Sequence, residues 1–297
     1  MQRFMFAVVA PMALVLAACG TDRPSAGGAE TTTRQQPPVA SDPNQGSPHE
    51  GNGTVCDDET SGPMLWLGGF RLMIESPPTC GGIPLLNWDW GAVDGESSKR
   101  GTTWGSYHVV GAYDGETLAV TEAGPYQDDP SVFGTDPDTG SPCEKPAGGW
   151  VVPDPARNTQ NDVSRAGTYA RSQPDYVASW NTHLEPERFE FGSVIFNAVF
   201  AGDAGRHEAE IRKVWEGPLC VVARDAPTAR ELERIRKEVE AGLDGLALEM
   251  LWSSGPGIEP VIEIGVVADI GGKGQAALDR RYGPGLVQLI PALKPVS

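Results

Sequence analysis

The chain has 297 residues, with 40 Asp and Glu against 23 Lys and Arg, a net charge of −17. So acidic a protein is a poor binder of nucleic acid or anionic lipid through bulk electrostatics, which sets those partner classes aside. Its length allows two modest domains and a tether.

Arg3 precedes an apolar run from Phe4 to Ala18, which closes in Leu16-Ala17-Ala18-Cys19-Gly20. A short basic start, an apolar stretch and small residues at a cut site make a signal peptide over 1–18. The apolar run falls short of the roughly 20 residues a spanning helix needs. A Cys directly after the small residues resembles the lipobox of bacterial lipoproteins. That resemblance implies cleavage before Cys19, a diacylglycerol on its thiol and an acyl chain on its new amino group. Two or three chains hold a protein to a membrane far better than one. Arg outnumbers Lys 17 to 6, and in general style the chain is similar to uncharacterised exported lipoproteins of high-GC Gram-positive bacteria. The implied location is the outer, extracytoplasmic face of the cell membrane.

Residues 19–54 are rich in Gly, Ser, Thr, Pro and Gln. Such a stretch buries too little apolar surface to offset ordering entropy, so it reads as a disordered tether carrying the lipidated Cys. From Met64 the character changes. Extended runs at 64–74, 83–90, 104–110 and 117–121, with hairpin chemistry at Asp114-Gly115, predict a small antiparallel β-domain over 55–125, partly closed into a barrel. Residues 126–160, rich in Pro, Gly and Asp, read as a connection. Within it Asp128, Asp129, Asp136 and Asp138 lack the spacing of a calcium loop and read as a solvated acidic segment.

The part from 161 to 297 repeats itself. Val194–Val222 lies over Val261–Leu289 at an offset of 67 without a gap, and seven of 29 positions are identical. Each copy reads as strand, helix, strand: 194–200, 206–215 and 219–222, then 261–268, 275–282 and 286–290. Two β-α-β units in tandem predict a ferredoxin-like α/β sandwich, so the fold class expected for the whole chain is α+β. Asn158–Thr182 is expected to hold two short helices, the second begun by Pro174. Thr228-Ala229-Arg230-Glu231 is a capping box opening a charged helix with Leu232, Ile235, Val239 and Leu243 on one face, read as a packed linker.

Beyond Cys19, four cysteines remain: Cys56, Cys80, Cys143 and Cys220. An even number in an exported chain reads as two disulfides, with three pairings open. Cys56–Cys80 with Cys143–Cys220 is favoured, because each bond then stays inside one domain. No C-x-x-C or clustered His accompanies them, so no metal is expected.

Motifs with catalytic meaning fail on their own terms. Gly272-Lys273-Gly274-Gln275-Ala276-Ala277 has the glycines of a dinucleotide loop but no acidic residue about 20 positions on, so no cofactor is expected and a strand-to-helix turn is the reading. His207-Glu208 opens like a zinc-protease helix, but the second His is replaced by Ile211. His108 and His183 are isolated. No catalytic residue is assigned. The least bland feature is aromatic: Trp88, Trp90 and Trp104, with Trp66, crowd the β-domain. Trp88 and Trp90 flank Asp89 and in a strand share a face, either core or a possible ligand face for sugars or peptides. The expected function is a lipid-anchored binding or accessory module whose partner is an envelope protein or a cell-wall polymer. Alternatives are a sugar- or peptide-binding lipoprotein using that Trp face, or a cell-envelope hydrolase.

Overall fold

The computed structural model describes residues 46–58, 60–68, 77–127, 140–152, 154, 158–184, 193–255 and 257–296. Cys19, the expected signal segment, most of the expected tether and Asp128, Asp129, Asp136 and Asp138 lie outside them. The described residues belong to one unit, Ser41–Ser297.

The first half is a sheet that closes on itself. Its strands are β1 (Ser47–Asp57), β2 (Met64–Trp66), β3 (Ile83–Leu86), β4 (Ser97–Lys99), β5 (Thr102–Tyr113) and β6 (Leu118–Pro125). The order β1-β2-β3-β6-β5 returns to β1, because β1 and β5 pair antiparallel from Ser47↔Tyr113 to Asp57↔Thr103. The pairing of β3 with β6 is parallel, so the sheet is mixed rather than the antiparallel one expected. β1 also corrects the tether boundary at 54, since strand begins at Ser47. Its Gly-rich composition reads as disorder only in isolation. Across the seam with β5, Gly51 faces Val109, Gly53 faces Tyr107, Val55 faces Gly105 and His49 faces Gly111. Alternate residues of a strand share a face, so each inward pair sets a bulky side chain against a glycine, which suits the tight interior of a five-strand barrel. A Cβ at Gly53 would stand 2.6 Å from Leu65 Cδ1.

The second half is not ferredoxin-like. α1 (Gln160–Ser172), β7 (Tyr176–His183), β8 (Val194–Phe200), α2 (Ala204–Ile211) and β9 (Leu219–Ala223) form one unit. α3 (Ala229–Glu240), β10 (Met250–Ser253), β11 (Ile262–Val266), α4 (Lys273–Tyr282) and β12 (Val287–Pro291) form the next. Each has its own three-stranded sheet, β7-β8-β9 and β10-β11-β12, with the first pair antiparallel and the second parallel. A ferredoxin-like sheet needs a strand of one unit beside a strand of the other. Here β7 and β9 flank β8, and β10 and β12 flank β11, so the two central strands cannot pair with each other, and the units form separate sheets. The fold is mostly β, with one seven-stranded sheet, two small ones and four short helices among the described residues.

Two further expectations change with this. The segment after Pro174 is strand β7, not a helix; Tyr176, Val177 and Trp180 supply the β-branched and aromatic residues that suit a strand. α3 is the opening element of the second unit, in the place α1 holds in the first, rather than a linker. Its Leu232, Ile235 and Val239 pack with Ile262, Ile264, Leu278, Val287 and Leu289. On its outer face Arg234–Glu238 (2.5 Å), Lys237–Glu233 (3.3 Å) and Arg236–Glu240 pair as i,i+4 neighbours, worth a few tenths of a kcal/mol each. In the first unit Val194, Phe196, Ala198 and Phe200 of β8 meet Val163, Ala166, Ala170, Ile211 and Trp215.

Free edges are managed individually. The Gln275 side chain lies along β12, donating to Val287 O and accepting from Leu289 N, both at 2.8 Å. β9 carries Cys220, bonded to Cys143; the other disulfide joins Cys56 to Cys80.

The C-terminus plugs the barrel. β13 (Lys294–Pro295) pairs with β1 at Glu50 and His49. Leu293 enters the barrel core beside Val109, Tyr113 and Leu118. A Cβ at Gly51 would run into Ala292 O, so only glycine admits the plug there. Tyr113 seals the same end, its O–H donating to Gly115 O at 2.9 Å. Burial, with Glu249, Asp114 and Glu116 adding to it, pushes the Tyr113 phenol up to about 12. An unfolded phenol titrates near about 10, so this contribution is whole below that pH and is lost as pH rises towards about 12, on the order of 2–3 kcal/mol. Urea melts across that window are expected to lose stability in the parent and to flatten in Tyr113→Phe; equal slopes would contradict the assignment.

Candidate functional site

The other end of the barrel, where β1 finishes at Asp57, gathers the aromatic residues. The inward column of β5 there is Gly105 and Tyr107, and Tyr107 is 2% exposed. A Cβ at Gly105 would stand 2.5 Å from Tyr107 Oη. The phenol therefore leans over Gly105, away from the plug and towards the Asp57 end, because position 105 alone leaves room.

β3 stops at Leu86, and Asn87 turns the chain with φ 61°. Asp89 then caps a single 3₁₀ turn, Trp90–Ala92, by accepting from Gly91 N at 2.8 Å. The expectation that Trp88 and Trp90 alternate along a strand is thus wrong: Asp89 and Gly91 favour a capped turn over extended backbone. The turn still brings the two rings together. Their centroids are 5.3 Å apart at 81°, and they lie 5.2 Å (Trp88) and 6.1 Å (Trp90) from Tyr107. Trp90 meets both Trp88 and Tyr107 edge-on, a preferred geometry for aromatic pairs, while Trp88 and Tyr107 are tilted at 59°. Both indoles are half-buried and pack against the barrel core, as do Leu67 and Val93. Trp90 Nε1–H donates to Asp57 Oδ2 at 3.4 Å.

Trp104 does not join them. It sits on β5 with the parity opposite to Gly105 and Tyr107, opposite Cys56 and Ser97 in register, and so on the outer face of the barrel. The ligand face expected from Trp88, Trp90 and Trp104 is therefore split by strand parity, and Tyr107 takes the third place. Alternation along 104–113 was the available signal for Tyr107, since it shares a face with Val109 and Tyr113.

Two donors in the aromatic cluster are unpaired. Among the described residues neither Trp88 Nε1 nor Tyr107 Oη, both buried, has a hydrogen-bond partner. A buried donor left unsatisfied costs about 1–3 kcal/mol. Burial, followed by the carboxylates of Glu96 and Asp94, raises the Tyr107 pKa and keeps it a neutral O–H donor. The site thus offers apolar ring faces, two unused donors and carboxylate acceptors.

A second polar cluster sits in the first α/β unit. His207, fully buried, stacks on Phe200 at 3.8 Å. Its Nδ1 meets Tyr169 Oη at 3.0 Å and its Nε2 meets Asp175 Oδ2 at 2.9 Å. Burial alone would raise the Asp175 pKa; the hydrogen bond from His207, with that residue's charge and Arg206, outweighs burial and lowers it. The imidazole is a tie between α1, α2 and the turn before β7, enclosed by the core rather than presented to a substrate. Ile211, where a second zinc ligand would stand, is core.

The glycine loop before α4 also has an internal occupant. Asp269 accepts from Gly274 N at 2.8 Å and Gln275 N at 3.0 Å. The chain's own carboxylate takes the place at the helix start that a phosphate would need. His108 is half-buried on β5, where Nε2 approaches Glu50 at 3.5 Å.

No protein-family model, curated protein or solved structure matches the chain.

Proposed function

We propose that this chain is a lipid-anchored extracytoplasmic protein that works by binding, presenting the aromatic end of its barrel to a component of the cell envelope. The observation that carries the reading is the cluster of Trp88, Trp90 and Tyr107 with its two unused donors. It lies at the opposite end of β1 from Ser47, where the N-terminal segment joins. At about 3.3 Å per residue, 11 residues of strand separate the two by roughly 33 Å. Two disulfides fit an oxidising compartment, and the lipobox ending in Cys19 supplies the anchor.

Cys19→Ala tests the anchor. The variant is expected to leave the membrane fraction for the soluble one while keeping the parent melting temperature. Unchanged membrane retention after a salt wash would overturn the lipid assignment.

A further inference from the structure

We propose that the aromatic end of the barrel is a saccharide-binding site, in which the Trp90 ring lies against the C–H face of a neutral sugar while Trp88 Nε1–H and Tyr107 Oη–H donate to its oxygens. This deepens the binding reading above and rests on it.

Three observations select the ligand class. Trp88 Nε1 is a donor only, so it needs an acceptor on the ligand; an ammonium or guanidinium group offers none. The carboxylates of Asp57, Asp94 and Glu96 border the cluster: Asp57 accepts from Trp90, while Asp94 and Glu96 act on the Tyr107 phenol. On a chain of net charge −17 they oppose a phosphate or carboxylate ligand. These demands are met by a neutral molecule carrying hydroxyls that both accept and donate, with an apolar face for an indole. A pyranose has that combination.

The arrangement also explains why the donors stay unused. Both atoms are buried in the cluster, so a sugar reaches them when the Trp90 turn shifts. That turn is held to β1 through a long bond, Trp90 Nε1–H to Asp57 at 3.4 Å. Binding would exchange this contact for two satisfied donors, so the closed state carries an unmet hydrogen-bonding demand that the ligand removes.

The test is a titration of the full chain in detergent with maltotetraose, mannotetraose and triacetylchitotriose, followed by tryptophan fluorescence and calorimetry. At least one probe should give saturable quenching with heat. Trp90→Ala should abolish both. Tyr107→Phe keeps the ring and loses only the hydroxyl, so affinity should fall about tenfold, the worth of one hydrogen bond. That variant should melt no lower than the parent, since it removes an unpaired buried group; this separates loss of a ligand contact from loss of fold. Absence of heat and quenching with all three probes at millimolar concentration would overturn the proposal, as would parent affinity in Tyr107→Phe. If the sugars fail while a photo-crosslinker in place of Trp90 captures an envelope protein, the saccharide is wrong and the anchored binding module stands.

Discussion

Leu293→Ala is expected to destabilise the whole described unit by roughly 2–5 kcal/mol, the range for truncating a fully buried leucine. Leu293 is 0% exposed and packs within the barrel core. Its backbone N–H donates to Val267 O at 2.8 Å, and Ala292 N donates to Val266 O at 2.9 Å. The plug is therefore fastened at once to β11 and its exit and, through β13, to β1. The cavity would open where the barrel meets the second α/β unit, so one residue should report on both. Urea melts followed by far-UV circular dichroism and by tryptophan emission are expected to shift together. If emission from the Trp88–Trp90 end kept its parent midpoint while the dichroism shifted, the barrel would be independent of its plug and this account of the fold would fail. Gly51→Val should reproduce the effect from the other side, by driving a side chain into Ala292 O.

Loss of the Cys143–Cys220 bond should be comparable, about 2–5 kcal/mol for the double serine variant. The bond spans 77 positions, against 24 for Cys56–Cys80. Chain-entropy reasoning gives about 4.5 kcal/mol for a loop of that size and about 3.4 kcal/mol for the shorter one. Cys220 also lies on β9, an edge strand of the first α/β unit, so its release would free backbone that could pair with other chains. Equilibrium unfolding of Cys143→Ser/Cys220→Ser against the parent checks the magnitude, and light scattering at the midpoint checks the exposed edge. A loss below about 1 kcal/mol would mean the reduced chain is already constrained in its unfolded state.

Local elements were legible where periodicity was strong. The apolar run at 194–200 is β8 residue for residue, and the capping box at Thr228 does open α3, with Thr228 Oγ1 accepting from Glu231 N at 3.3 Å. The 67-residue offset marked a real repeat, but similarity over Val194–Val222 covered only its last three elements. α1 and α3, and β7 and β10, share position without shared residues, because a helix face or an edge strand needs only a pattern. Missing them led to the wrong sheet: the third strand of each unit determines whether two units can merge. Pro174 signals a boundary rather than a helix start: it lies in the turn between α1 and β7, where proline's fixed φ suits turn backbone. At the aromatic end, the crowding of Trp88 and Trp90 was visible, but Asn87 and Asp89 turn the chain, and strand parity sends Trp104 outward and Tyr107 inward.

What the sequence by itself determined is what depends on neighbours along the chain. That includes the acidic balance, the four cysteines suited to two disulfides, and the strands and helices of the repeated segment. What only the tertiary structure decided is what depends on residues far apart. Gly51 and Gly53 look like linker glycines until Val109 and Tyr107 stand across from them. The last residues look like a tail until Leu293 fills the barrel. Tyr107 looks like any core tyrosine until Trp88 and Trp90 close over it and leave two donors unpaired. The physical reason is common to all three: a residue's role in a barrel is set by what faces it across the seam, and pairing partners lie tens to hundreds of positions away.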